Sequence, residues 1–390
     1  MDEHPASPSA APQTDERAQR RRLNPGGAER PVRHGGHPGP HVTLTSPSAD
    51  ERTLVREASP EKQTMYTSIL VALDGSAFAE RALPVAIALA RRSDARLSLV
   101  HVDEPHAWPP VALPTDPRLE TEPWSGIHRA LDALADRIRA QHGIQTAVTC
   151  LEGSAARALA RHVASSDAEL LVMATHGSGG LSRAWLGSVA DHMVRHSAVP
   201  VLLVRPGATG AARGEPLFRR ILVPLDGSSL AERALEHAVS LALPGATAFT
   251  LLQVVVPESV PVPPYAVTWA MDRADLARRM REGVTYLERP RADLAENGFT
   301  AAAEVVGNRS VARGILDYAR KHDVDLIALA THGRGGVGRL LMGSVADKIL
   351  RGARMPLLIY HPPGTEDVVG PLGLPDTATQ RAAPSTPSPA

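Results

Sequence analysis

The chain has 390 residues, 43% of them hydrophobic, and its 42 Lys and Arg residues balance 42 Asp and Glu. That length suggests two or three domains with ordinary globular cores, and zero net charge removes the usual electrostatic case for a nucleic-acid or anionic-membrane partner. Cys150 is the only cysteine, which excludes an intrachain disulfide and a zinc site built from cysteines.

In chain order, residues 1–64 are rich in Pro, Ala, Ser, Gly, His, Arg and Glu. They have too little apolar pattern to offset the entropy of ordering them, so a disordered tail is expected. The stretch 363–390 reads the same way. Order begins at Met65. The apolar run Ile69–Leu73 predicts a buried strand, and Asp74-Gly75-Ser76 a turn with a helix cap. A helix then carries Ala82, Val85, Ala86 and Leu89 on one face and runs to about Arg92. Leu97–Val102 is a second strand, and the Pro-rich stretch His106–Pro123 a loop. Ile127, Leu131, Leu134 and Ile138 mark an amphipathic helix ending at Gly143. Strand, helix and strand follow at Gln145–Leu151, Ala155–Ser165 and Leu170–Ala174. A Gly-rich loop comes next, then a helix from Ser188 and a strand from Val199 to Val204.

After a Gly/Ala/Pro-rich linker at 207–216 the pattern restarts. Strands are expected at Ile221–Leu225, Ala248–Val255, Thr300–Val306, Leu326–Ala330 and Met355–Tyr360. A long helix carries Leu276, Met280, Val284 and Leu287, and Pro290 should kink or end it. Shorter helices fall at Val311–Lys321 and Ser344–Arg351. Strands alternating with helices imply parallel sheets with helices on both faces, joined by right-handed crossovers. The two halves are copies: Asp74 maps to Asp226, 152 residues on, and Gly187 to Gly343, 156 residues on. The domains are therefore 65–206 and 217–362. The apolar last strands and the short linker suggest that the copies pair within one chain, because unpaired strand edges are normally covered.

Ligands of open α/β sheets sit beyond the carboxyl ends of the strands, where the winding reverses. Each copy offers two loops there. One carries Asp74 or Asp226. The other runs Ala174-Thr175-His176-Gly177 to Gly187-Ser188, and Ala330-Thr331-His332-Gly333 to Gly343-Ser344, with nine residues between the two glycines. Gly-rich backbone leading into a helix start suits a phosphate, since free N–H groups and the helix dipole favour an anion. A carboxylate at the other loop suits ribose hydroxyls. Purely structural roles are available to the same residues. Asp-Gly-Ser makes a turn and N-cap, Ser229-x-x-Glu232 matches a capping box, and so do Ser188-x-x-Asp191 and Ser344-x-x-Asp347. His176 and His332 have no second ligand at metal spacing and no nucleophile partner, so they read as loop lining. The lysine of a Walker A loop is absent.

These residues carry a resemblance. Ile69-Leu70-Val71 leading to Asp74-Gly75-Ser76, Thr175-His176-Gly177 with Gly187-Ser188-Val189-Ala190-Asp191, the same series in the second copy, and the closing Val199–Arg205 resemble the universal stress protein family in tandem form. The resemblance spans roughly Met65 to Tyr360. It implies two repeated Rossmann-like open parallel five-stranded sheets of order 3-2-1-4-5, pairing through the last strand, and ATP binding in members with G-x2-G-x9-G-[ST]. The first Gly of that motif is Ala174 and Ala330 here, and ordinary extended backbone is expected at both. Carried over, Ala72, Asp74, Val102 and Met173 flank adenine and ribose in the first copy, with Ala174, Gly177, Gly187, Ser188 and Val189 around the phosphates. In the second copy Pro224, Asp226, Val254 and Leu329 flank the nucleoside, with Ala330, Gly333, Gly343, Ser344 and Val345 around the phosphates. The expected protein binds ATP, with Mg2+ accompanying the nucleotide, in a stress or regulatory role, and is not an enzyme. The alternative is an interaction scaffold with vestigial pockets. No apolar run reaches the ~18–20 residues that cross a bilayer, and the N-terminus lacks the apolar core of a secretory signal, so the expected setting is cytoplasmic, without membrane or nucleic acid. Homodimers of the whole chain stay open.

Overall fold

The computed structural model describes residues 41–44, 65–104, 122–175, 186–205, 215–257, 273–331 and 342–361. Most of the stretch from His106 to Pro123, the Gly-rich loops with His176, Gly177, His332 and Gly333, most of the linker and the C-terminal tail lie outside the described residues.

A short strand, β1 (His41–Leu44), comes first. The first copy then runs β2 (Ser68–Ala72), a 3-10 turn (Ala79–Ala82), α1 (Leu83–Ser93), β3 (Arg96–Asp103), α2 (Glu122–His142), β4 (Thr146–Glu152), α3 (Ala155–Ser165), β5 (Leu170–Ala174), α4 (Ser188–His196) and β6 (Val201–Val204). The second runs β7 (Arg220–Pro224), α5 (Ser229–Ser240), β8 (Ala248–Val255), α6 (Arg273–Glu296), β9 (Thr300–Gly307), α7 (Val311–Lys321), β10 (Leu326–Ala330), α8 (Ser344–Gly352) and β11 (Leu357–Tyr360).

All eleven strands form one sheet in the order β1-β9-β8-β7-β10-β11-β6-β5-β2-β3-β4. Each copy supplies five parallel strands in the order 3-2-1-4-5. The two sets join where β6 and β11 pair antiparallel, with Leu203, Leu202 and Val201 opposite Leu357, Leu358 and Ile359. The expectation of two sheets paired through their last strands thus becomes one continuous sheet about a pseudo-two-fold near Leu202 and Leu358. The central strands are apolar at nearly every position because helices cover both faces: Leu170, Leu171 and Val172 are fully buried. One core lies under α1, α2, α5 and α6, with Leu89, Leu131, Leu235 and Leu287. The other lies under α3, α4, α7 and α8, with Leu159, Met193, Ile315 and Ile349. Both cores run through both copies.

Polar contacts add specificity to the seam. Arg92, at the end of α1, donates to the carbonyls of Leu241 (2.7 Å) and Ser240 (2.9 Å) at the C-terminal end of α5. Tyr66 donates its hydroxyl to Nδ1 of His237 on α5 at 3.2 Å, and that ring lies 4.7 Å from the ring of Tyr360. Arg195 on α4 reaches Asp347 on α8 at 3.7 Å.

Three expectations are corrected and a fourth is narrowed. β1 falls inside the stretch 1–64 read as disordered. It pairs antiparallel with β9, His41 opposite Val306 through Leu44 opposite Ala303, and satisfies backbone groups that an edge strand leaves open. Of a kink or an end at Pro290, the end is excluded: α6 continues to Glu296 with Pro290 inside it. Ile127 stands 36% exposed rather than on the buried face of α2, which Leu131, Ala135 and Ile138 form. The capping boxes are not made as read: the N-caps are Ser228, Gly187 and Gly343.

Candidate functional site

The winding reverses between β2 and β5 in the first copy and between β7 and β10 in the second. Beyond those strand ends lie the two described parts of the candidate site. Ala72 and Pro224 end β2 and β7. Ala174 and Ala330 end β5 and β10. Positive φ among the described non-glycine residues is confined to Asp94 and Asp323, so neither Ala174 nor Ala330 sits in a glycine-only conformation.

The Asp-Gly-Ser turns have one geometry in both copies. Asp74 Oδ1 accepts from the Ser76 N–H (2.9 Å) and hydroxyl (2.6 Å), and Ser76 Oγ accepts from the Ala79 N–H at 3.1 Å. Asp226 Oδ1 accepts from the Ser228 N–H (3.0 Å) and hydroxyl (2.6 Å), and Ser228 Oγ accepts from the Ala231 N–H at 3.2 Å. The aspartate aims the serine and the serine caps the helix start, which is why Ser228 rather than Ser229 is the cap. Glu232 is drawn away from a capping role by the Tyr286 hydroxyl, which donates to it at 3.1 Å. Gly75 and Gly227 carry φ of +78° and +83°, a left-handed turn that glycine adopts without a β-carbon penalty. The carboxylate of Asp74 stays exposed and that of Asp226 half-buried. The structural reading of these aspartates is realised, and it keeps them at the mouth of the site.

The helix starts also match. Thr175 and Thr331 are buried and accept, through their carbonyls, the N–H groups of Gly187 (2.9 Å) and Gly343 (2.8 Å). That contact turns the chain into α4 and α8. Neither N-cap residue carries a side chain, since glycine stands there in both copies, and Ser188 and Ser344 are the first helical residues and are exposed. Asp191 and Asp347 instead hold Arg195 and Arg351 one turn on, both at 3.0 Å. The first-turn N–H groups that a cap would take thus lie at the mouth, where a helix start favours an anion.

Apolar residues line the strand ends beside these loops. Ala72, Val102 and Val189 are half-buried against the core that holds Met173. Val254 and Val345 pack in the same way around Leu329, with Pro224 half-buried at the end of β7. Gly177 and Gly333 lie outside the described residues, so of the expected site residues the structure places all but these two.

The model of the universal stress protein family matches residues 65–205 and again 217–361. The chain belongs to the universal stress protein family. It is 27% identical over 301 residues to a universal stress protein of Mycolicibacterium smegmatis, covering 75% of this chain and 97% of that one. A universal stress protein of Thermus aquaticus is 35% identical over 148 residues, 36% of this chain and all of its own length. A universal stress protein of known structure from Archaeoglobus fulgidus overlays with a TM-score of 0.52 at 19% identity, over 75% of this chain and 97% of that one, a likeness of fold.

In this tandem universal stress protein the two turns are braced differently, which the repeat itself did not reveal. In the first copy, His101 on β3 is buried with Nδ1 2.8 Å from the Leu73 carbonyl, the residue before Asp74. Its Nε2 lies 3.1 Å from Asp103 Oδ1, and His128 on α2 reaches Asp103 Oδ2 at 3.3 Å. In the second copy Gln253 stands at the place of His101 and Val255 at that of Asp103, 152 residues on. The Asp226 turn is met by Tyr286 from α6, whose hydroxyl takes a hydrogen bond from Gly227. Burial first, then the hydrogen bond to Glu232, holds that phenol well above its usual range. The signal available in sequence was His101-x-Asp103, two polar residues on one face of a strand otherwise apolar on that side.

Proposed function

We propose that this universal stress protein binds an adenine nucleotide, ATP, at the carboxyl ends of the strands in each copy, and acts as a nucleotide-responsive stress or regulatory protein rather than as a catalyst. The observation that carries the reading is the coincidence, twice in one chain, of an Asp-held turn and a helix start with glycine at its N-cap, at the point where the winding reverses. The parts suit the group. Ala72, Val102 and Met173 offer an apolar wall to the base, Asp74 a carboxylate to the ribose, Gly187 a close backbone approach, and Ser188 and Val189 backbone donors to the phosphates. Pro224, Val254 and Leu329, Asp226, and Gly343, Ser344 and Val345 repeat the set. Mg2+ would be carried in by the phosphates.

The experiment is calorimetric titration of the full chain with Mg-ATP, alongside Gly187→Val and Gly343→Val. Each substitution places a branched side chain where the phosphate must approach, so each is expected to remove one of two binding events. No heat at millimolar ATP, with no shift in thermal unfolding, would leave the scaffold with vestigial pockets as the function.

A further inference from the structure

We propose that His101 is a positioning residue that ties the Asp74 turn to the protonation of the first copy, while the second copy lacks this dependence. The consequence for binding rests on the nucleotide reading above; the proton bridge does not.

Two hydrogen bonds set the proton count of the His101 ring. A carbonyl oxygen only accepts, so the 2.8 Å contact of His101 Nδ1 with the Leu73 carbonyl requires a proton on Nδ1. A carboxylate also only accepts, so the 3.1 Å contact of Nε2 with Asp103 requires a proton there too. With Asp103 ionised, a neutral imidazole, which has one N–H, makes one of these bonds, and the imidazolium makes both. Asp103 is buried and takes His128 on its other oxygen, so it stands as the acceptor between two histidines. When His101 gives a proton to water, one nitrogen turns a lone pair toward an oxygen. Either the Leu73 carbonyl or Asp103 is released, and the bridge from β3 and α2 to the turn is broken. The titratable groups placed around His101 are Asp103 on its own strand, His128 and Asp132 on α2, Cys150 and Glu152 on β4, and Asp74 on the turn it braces.

The second copy supplies its own control. Gln253 occupies the matching position beside Leu225, whose N–H bonds the Leu252 carbonyl as Leu73 bonds Val100. Gln253 does not titrate. Gly283 on α6 packs against it so closely that a β-carbon would lie 2.3 Å from Gln253 Oε1, so no side chain from that position reaches in as His128 does. The brace on that turn is Tyr286, held protonated. The chain thus carries one turn whose hold depends on a histidine and one whose hold does not.

Two measurements on the full chain test this, each repeated across a series of pH values. The first is nitrogen-15 NMR of the His101 ring and of the Ser76 amide without nucleotide. The expected result is an imidazolium at the acid end and a Ser76 amide that shifts with the same midpoint. A ring that is neutral throughout, or a Ser76 amide that ignores it, overturns the proposal with no reference to ATP. The second is ATP affinity with the other site blocked by Gly343→Val or Gly187→Val. The first site is expected to weaken about fivefold more than the second as pH rises, the worth of one net hydrogen bond. His101→Gln, which installs the second copy's residue, should flatten that difference while binding persists. Equal slopes at the two sites, or a slope that survives His101→Gln, overturn it. Absence of ATP binding at every pH refutes the nucleotide reading and leaves the proton bridge to be judged by the ring and amide spectra.

Discussion

Gly75 shows how little space decides and how much backbone does. A β-carbon built on it meets nothing within 4 Å, yet its φ is +78°. Gly75→Ala should therefore lose about 1 kcal/mol from the left-handed backbone alone, read as a lower urea midpoint at unchanged slope. Gly75→Asn should lose less, since Asn tolerates that region. An unchanged midpoint for the alanine variant would mean that the turn relaxes to another conformation. Ala174 is the opposite case. It ends a strand without positive φ, so a glycine there has no conformational duty. Ala174→Gly should cost ~0.5–1 kcal/mol through added chain entropy and change ATP affinity little. A tenfold gain in affinity, about 1.4 kcal/mol, would show that the alanine methyl obstructs the ligand.

At the scale of elements, α5 meets the first copy through a histidine that must stay neutral. His237 accepts the Tyr66 hydroxyl on Nδ1 and packs on Tyr360. Burial, and then Arg233, push its pKa down to about 4. The sign follows directly. An unfolded chain takes up this proton near pH 6.5, whereas the folded chain resists until about pH 4. The group's full contribution is present above about pH 7, declines as pH falls through the interval, and changes no further below the folded value. With partial exposure discounted, a loss of roughly 2 kcal/mol is expected across that window. His237→Val, the residue type that Val85 supplies at the matching place in the first copy, should flatten this part of the curve. Denaturant titrations at a series of pH values check it; parallel curves for parent and variant would place the acid sensitivity elsewhere.

At the scale of the whole molecule, the seam and the sheet edges govern association. β6 and β11 are buried at every position and pair only with β5, β10 and each other. Residues 65–206 expressed alone would expose the edge of β6, a four-residue apolar strand. They are expected to self-associate into dimers in sedimentation experiments and to fall apart into monomers when Leu202 is replaced by Lys. A monomer at tens of micromolar without that change would mean that the helices, not the strand, supply the contact. The opposite edge behaves differently. β1 covers β9 over four residue pairs and belongs to neither repeat. Removing residues 1–64 should leave both cores intact but raise concentration-dependent association, and Val42→Pro or Thr43→Pro should reproduce it where the lost N–H faces β9. Identical sedimentation of full and shortened chains would remove a covering role for β1.

The repeat, the parallel strands and the loops that carry the site were legible in the linear chain, because each is a local matter. A strand buried on both faces must be apolar throughout, as Leu170–Met173 is, and a left-handed turn asks for glycine, as Gly75 and Gly227 show. Duplication made the pattern readable twice. The joining of two sheets into one was suggested only indirectly, by apolar last strands, and what faced each strand was settled by the packing of distant residues. The caps at Ser228, Gly187 and Gly343 depended on where carbonyls such as Thr175 and Thr331 arrived, which spacing alone does not encode. Pro290 inside α6 and β1 on the edge of β9 were tertiary choices of the same kind, made where burial or an open edge outweighed a local preference. The difference between the two sites lay furthest from the sequence. His101, Asp103 and His128 converge from β3 and α2, and Tyr286 and Gly283 from α6, and only folding brings a proton count on one ring to bear on the turn that precedes the helix.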